Sequence, residues 1–323
     1  MEGNLNFWLG EIVHSGLQRY YEGQLAGESH ADRSEAAMVR YEEAYDEAMQ
    51  PLATVWGAVW SLAKPIYEDL GAMGWDMLLG YFEREIQHPL AEEGDVVQVE
   101  QRLFVPIVSP EGEIVGQLAV RTDLFVRRFG ELTAVDHKTA SQRLGSSMLD
   151  IDDQLTAEVY AGWKALGEFP DKAVYNALLK KRPVPPREIK GTKAEPVKLS
   201  KAKDQPTTHS LYLGEIARLG LDRSNYDDIL EALAEDAAND ETPFYFREET
   251  FRTPGQMAQF EANLYQEFTD MVAVAADPPR AYPSPSPFAC PSCPVRQVCA
   301  AMMDGTDPAH LITTQYIVAE PRY

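Results

Sequence analysis

Gly116-Gln117-Leu118-Ala119-Val120-Arg121-Thr122-Asp123-Leu124-Phe125-Val126-Arg127, then Leu132-Thr133-Ala134-Val135-Asp136-His137-Lys138-Thr139, is the stretch on which the fold turns. Both runs are rich in β-branched and apolar residues, and Phe129-Gly130-Glu131 between them reads as a tight turn. They predict strands at Ile114–Arg127 and Leu132–Thr139. Side chains two apart on a strand project to the same face, so Asp136 and Lys138 point together. A hairpin of the two strands brings Asp123 beside them. Two carboxylates and one lysine then converge at a sheet edge. Paired carboxylates of this kind hold Mg²⁺ or Mn²⁺, and a nearby lysine stabilises charge building on a phosphate. A salt bridge on a solvated strand face explains the same spacing.

Outward from this pair, Val96–Val108 reads as a preceding strand, with Ser109-Pro110-Glu111-Gly112 as its turn. The three strands form an antiparallel meander. Residues 7 to about 25 predict a helix, with Leu9, Ile12, Val13, Gly16, Leu17 and Tyr20 on one stripe. Residues 31–90 read as a mostly helical insertion, broken by Pro51, Pro65 and nearby glycines, with Trp56, Trp60 and Trp75 packing. Residues 150–167 predict a helix burying Ile151, Leu155, Val159 and Leu166, and Ala173–Leu179 a fourth strand. The order is therefore helix, three strands, helix, strand, an α/β (α+β) arrangement. A Pro- and Lys-rich stretch, 182–206, follows as a loop too polar to pack. Helices near 208–220, 225–238 and 254–275, with a strand at Phe244–Phe251, lead to a cysteine cluster.

This order and these residues resemble the PD-(D/E)XK nuclease superfamily, and in particular its RecB-like exonucleases, including the CRISPR-associated and phage-encoded branches with an iron–sulfur cluster. Thr122-Asp123-Leu124-Phe125 and Ala134-Val135-Asp136-His137-Lys138-Thr139 carry the resemblance, and Gly10-Glu11-Ile12-Val13-His14 is similar to that family's Gly-x-x-x-His. The resemblance covers about 7–25 and 95–181, and the cysteines extend it to about 300. It implies a restriction-endonuclease-like core, a mixed central sheet flanked by helices, over 1–181, and a helical, cysteine-bearing region over 207–323. It implies His14, Asp123 and Asp136 as ligands of Mg²⁺ or Mn²⁺ and Lys138 as the catalytic lysine. The family follows these with a Gln and, four residues on, a Tyr. Here Gln154 is followed at 158 by Glu, and the nearest Tyr is Tyr160. Six residues turn a helix by about 600°, so Tyr160 does not share the face of Gln154. Gln154 is expected to line the site.

Cys290-x-x-Cys293-x5-Cys299 contains all the cysteines of the chain. Thiols at this density point to metal in a reducing, cytoplasmic setting rather than to a disulfide framework. The spacing resembles three ligands of the family's four-iron, four-sulfur cluster, whose fourth thiolate precedes the Gly-x-x-x-His motif. That cysteine is missing here, and Met1 lies nine residues before Gly10. The expectation is a missing segment or shortened start, and a fourth ligand from His310, an Asp, water or nothing.

Charge bounds the partners. The chain carries 29 Lys plus Arg against 51 Asp plus Glu, a net −22. Between Lys180 and Gln205, however, nine basic residues face three acids. On so acidic a body, one basic segment confines a polyanion to one groove; a solvated loop of mixed charge is the alternative. Lys180, Lys181, Arg182, Arg187, Lys190 and Lys193 are the expected DNA-backbone contacts, salt-dependent and sequence-independent. Tyr212, Tyr226, Phe244, Tyr245 and Phe246 are candidates for base stacking or for plain core. No apolar run approaches the roughly 18 residues that span a bilayer. The family implies DNA with free ends as substrate, and recombination or CRISPR-adaptation proteins as partners. A non-catalytic DNA-end-binding scaffold on the same fold, and a metal-binding regulator using the cysteines alone, are the rival readings.

Overall fold

A computed structural model describes residues 5–170, 172–191, 197–277, 284–286, 290 and 293–316. The chain divides into two compact units, residues 1–262 and 263–323. In the first, α1 (Leu5–Leu25) leads into α2 (His30–Trp56) and α3 (Trp60–Gln87). Three long strands follow, β1 (Val96–Val108), β2 (Ile114–Arg128) and β3 (Glu131–Ala140). A short α4 (Ser146–Leu149) and α5 (Asp153–Leu166) then cross over to β4 (Lys172–Leu179). Beyond these come β5 (Glu188–Lys190), β6 (Val197–Leu199), α6 (His209–Leu219), α7 (Asp227–Ala238), β7 (Tyr245–Phe251) and α8 (Pro254–Ala276).

The main sheet has the order β1-β2-β3-β4-β7. Pairing is antiparallel except between β3 and β4, which run parallel, so the sheet is mixed. A parallel pair needs a crossover, and α5 supplies it. Its start is fixed by Asp152, whose carboxylate accepts from Leu155 N at 2.8 Å. Its end is Gly167, at φ 74°. Gly162 lets α5 lie close to the sheet: a Cβ there would stand 2.4 Å from Phe125 Cζ. On the other face, Leu124, Val126, Val135, Val174 and Leu178 pack against Leu9, Ile12, Val13 and Leu17 of α1 and Met77, Leu78 and Tyr81 of α3. Full burial of each such side chain contributes about 1.5–3 kcal/mol.

Several elements differ from the sequence expectation. Pro51 and Pro65 lie inside α2 and α3; the break comes at Gly57, whose φ of 51° a residue with a Cβ resists. Ile151 and Leu166 are exposed, while Leu155 and Val159 are buried as expected. The stretch 182–206 is not an unpacked loop. Its β5–β6 hairpin is tied down by Gln205, which accepts from Arg187 N at 2.8 Å and donates to Ser200 O at 2.8 Å. Leu199 joins Tyr212, Ile216, Tyr226, Ile229 and Leu230 in a small second core. The compact unit reaches residue 262, well past 181, because β7 pairs with β4 as the fifth strand of the sheet. Phe244, Tyr245 and Phe246, like Tyr212 and Tyr226, are buried core residues and present no stacking face.

In the second unit, α9 (Arg296–Met303) and α10 (Ala309–Gln315) follow the first two cysteines. No helix among the described residues is long and apolar enough to cross a membrane.

Candidate metal centre and active site

The site forms where two strands part. β2 and β3 pair from Arg128↔Glu131 up to Leu124↔Val135, and no further. Beyond that point β2 stays with β1 and β3 stays with β4. Asp123 and Asp136 stand at the fork. Separation leaves backbone groups without ladder partners, and the His137 N–H finds one in the Asp123 carboxylate, Oδ2, at 2.8 Å.

Asp123 is met from two other elements. His14 of α1 places Nδ1 3.7 Å from Asp123 Oδ2 and 4.0 Å from Glu100 Oε1. Glu100 comes from β1, where the pairs Val99↔Leu124 and Gln101↔Thr122 set it opposite Asp123. Its φ of 46° is unusual for a residue with a side chain. His14, Glu100 and Asp123 bring one ligand atom each within 4.8 Å of one another, the sole such group among the described residues. Gly10, one turn before His14, faces Thr139 of β3: a Cβ there would stand 3.4 Å from Thr139 Oγ1.

The donor set suits a divalent cation. Two carboxylate oxygens offer hard ligands, and the imidazole shifts the preference from Mg²⁺ towards Mn²⁺. Burial pushes the His14 pKa down, more than the Asp123 charge raises it, which keeps a ring lone pair available near neutral pH. Burial, with Asp123 alongside, pushes the Glu100 carboxyl up, partly offset by Arg121 at 2.7 Å. Sequence reasoning passed over Glu100. The visible signal was an acid inside the Val96–Val108 strand, but nothing local gives the register that sets it against Asp123.

Asp136 is not in that tight trio. Its side chain is 1% exposed, which removes the reading of a solvated strand face. Oδ1 accepts from Lys138 Nζ at 2.6 Å and from Gln154 Nε2 at 3.0 Å. Burial raises its pKa to about 7, against the pull of Lys138 and with the push of Asp123. Burial lowers Lys138, but Asp136 outweighs it, and the net shift is upward. The ammonium is therefore charged at neutral pH, with 32% of the side chain open to solvent. Gln154 Oε1 also accepts from it at 3.0 Å. As the helical geometry required, Tyr160 points elsewhere, donating to Glu261 at 3.0 Å.

The expected DNA contacts divide. Arg182 lies against α3, 2.7 Å from Asp69 and 3.0 Å from Asp76. Lys181, Arg187 and Lys190 are exposed, and Lys180 is partly buried. Lys193 falls outside the described residues. Cys290, Cys293 and Cys299 are free thiols, half-buried, in the second unit. Cys293 N donates to Cys290 O at 3.3 Å, and Cys290 Sγ accepts from Ser286 N at 3.1 Å.

No curated protein matches the chain closely enough to count as a relative. A family model described as the PD-(D/E)XK nuclease superfamily matches residues 2–300, a span that takes in the forked sheet and every residue of the site. A mixed five-stranded sheet flanked by helices, an Asp123/Asp136/Lys138 set at its fork and that match together place the chain in the PD-(D/E)XK nuclease superfamily.

Proposed function

We propose that this nuclease is a RecB-like exonuclease that hydrolyses phosphodiester bonds at DNA ends, in recombination, phage replication or CRISPR spacer processing. The observation that carries the catalytic reading is the fork itself. It sets a cation-binding trio, His14, Glu100 and Asp123, beside a buried carboxylate, Asp136, that holds a charged lysine. A non-catalytic scaffold has no need to keep Asp136 buried and Lys138 paired to it.

When bound, a divalent cation there neutralises charge on the phosphate and makes water a better nucleophile. The remaining work belongs to the chain. Asp136 and Gln154 hold Lys138 Nζ from two sides. The ammonium can then orient the attacking water and stabilise charge on the phosphoryl oxygens. His14, on α1, would be the nitrogen ligand of that cation, with Glu100 and Asp123 as its oxygen ligands. Arg121, 69% exposed and paired with Glu100, adds positive charge at the rim. Exposed Lys181, Arg187 and Lys190 grip the DNA backbone, with a strong dependence on salt. Cys290, Cys293 and Cys299 serve as three ligands of an iron–sulfur cluster that staples the C-terminal segment; the support is their spacing.

The test is degradation of end-labelled linear single- and double-stranded DNA, with a closed circle alongside, in Mg²⁺ or Mn²⁺. The proposal requires metal-dependent loss of linear DNA, sparing of the circle, and no cutting by Asp136→Ala. Cutting of the circle makes the enzyme an endonuclease. An inactive wild type that still binds DNA ends makes it a scaffold.

A further inference from the structure

Glu158 enters the site in a way the expected Gln/Tyr pattern does not cover. It stands four residues after Gln154 on α5, so the two side chains lie one above the other. Glu158 is 1% exposed. Its Oε1 accepts from Gln154 Nε2 at 3.0 Å. Its Oε2 is enclosed and has no hydrogen-bond partner among the described residues. Leaving a buried polar atom unpaired is costly, and a leucine would fill the same space without that cost.

The Gln154 carboxamide shows what the acid provides. Its oxygen and nitrogen ends are alike in shape, and only their partners distinguish them. The nitrogen faces two carboxyl oxygens, Asp136 Oδ1 and Glu158 Oε1, each at 3.0 Å. The oxygen faces Lys138 Nζ at 3.0 Å. Turned over, the amide would set its oxygen against both of those acceptor oxygens and its N–H against the ammonium. Without Glu158 one of the two acceptors favouring the observed orientation is gone. Asp136 gains from the arrangement too. Oδ1 takes both donors, Lys138 Nζ and Gln154 Nε2.

We propose that Glu158 is a positioning residue, locking the Gln154 carboxamide so that Lys138 and Asp136 are held in one working geometry. The proposal rests on the nuclease reading for its purpose, but its geometry is testable without cleavage. Lys138 reacts slowly with formaldehyde and borohydride while it is held from two sides, and faster once released. Methylation of Lys138 is followed by mass spectrometry in metal-free wild type, Glu158→Leu, Gln154→Leu, the double variant and Glu158→Gln, with circular dichroism as a check on folding.

The lock predicts that Glu158→Leu and Gln154→Leu each raise the Lys138 rate several-fold, and that the double variant rises no further than either. Glu158→Gln still presents an acceptor oxygen to Gln154 and returns the rate most of the way to wild type. Cleavage follows the same order, with kcat down about 10- to 100-fold in Glu158→Leu and KM for DNA little changed. An unchanged Lys138 rate in Glu158→Leu overturns the lock, as do additive effects. A Glu158→Gln protein as fast as Glu158→Leu also overturns it, since charge and not the acceptor would then be responsible. Should wild type cleave no DNA, the nuclease reading fails while the methylation rates still decide the lock.

Discussion

Strand β3 carries polar residues on both faces, and the two clusters they nucleate have opposite characters. On one face Asp136 and Lys138 meet Gln154 and Glu158 of α5. On the other, His137 meets Asn176, its register partner on β4, whose Nδ2 donates to His137 Nδ1 at 2.8 Å. Asn176 also bonds Tyr81 and Arg247, at 3.0 Å each. Arg247 is paired with Glu85, which in turn accepts from Leu90 N at 2.9 Å. Tyr21 caps the group, 2.6 Å from Tyr81 and stacked on His137. The second cluster is sealed and almost every group is satisfied, although His137 Nε2 has no partner among the described residues. The first cluster is partly open and leaves oxygens unclaimed. Polar side chains on opposite faces of one strand thus serve structure on one side and the proposed chemistry on the other.

The contrast is sharpest in a lysine exchanged for methionine. Lys138→Met should cost roughly 10²- to 10⁴-fold in cleavage, the scale of one positioned electrostatic group. Its melting temperature should stay within a few degrees of wild type. Full activity would remove Lys138 from the chemistry. Across the strand, Arg247→Met should do the reverse. It leaves Glu85 buried without its partner, a loss of about 3–5 kcal/mol. Thermal unfolding should show it, and a stable Arg247→Met protein would mean the two clusters do not differ as described.

Smaller and pH-dependent is the effect of Asp136→Asn. Burial raises the Asp136 pKa to about 7, above its unfolded value, so the folded state holds the extra proton between the two. The stabilisation from that proton is complete at low pH and is lost as pH rises through about 7. Metal-free Asp136→Asn should therefore melt above wild type at pH 8, by up to about 4 kcal/mol. The two should nearly coincide only near about pH 3, below the unfolded value of 3.8. Equal melting at both pH values would show that Asp136 ionises without cost. The smallest effect belongs to Arg182→Ala, whose ion pairs with Asp69 and Asp76 are worth about 0–1 kcal/mol. DNA affinity should hardly change, in contrast to a Lys181, Arg187 and Lys190 triple alanine variant.

What could be read from the sequence was local. Asp136-x-Lys138 declares a shared face through a two-residue period, and the meander around it follows from apolar runs and turn residues. Gly-x-x-x-His was legible through the family resemblance alone, and the fold sets Gly10 one helical turn before His14. Glu100 was not, because its place opposite Asp123 depends on a strand register with an irregularity between Val96 and Gln98. The role of Glu158 was hidden by its chemistry, since an acid at that position looks like a departure until its bond to Gln154 is seen. Of the breaks expected between 31 and 90, the nearby glycine Gly57 ends α2, while Pro51 and Pro65 lie inside helices. Proline is the louder signal, yet the backbone conformation at Gly57 ended the helix. The strand at Phe244–Phe251 was legible but its place in the sheet was not, because its partner, β4, lies some 70 residues upstream in the chain.

Calorimetric titration of the metal-free protein with Mn²⁺ decides whether His14, Glu100 and Asp123 make the fork between β2 and β3 a cation site. Wild type should bind saturably. Glu100→Gln and Asp123→Asn should each weaken it at least about tenfold, in keeping with loss of a charged ligand. Lys138→Met should bind as well as wild type or better, having lost a nearby positive charge. Absence of Mn²⁺ binding by wild type, or undiminished binding by Asp123→Asn, would contradict a cation site there.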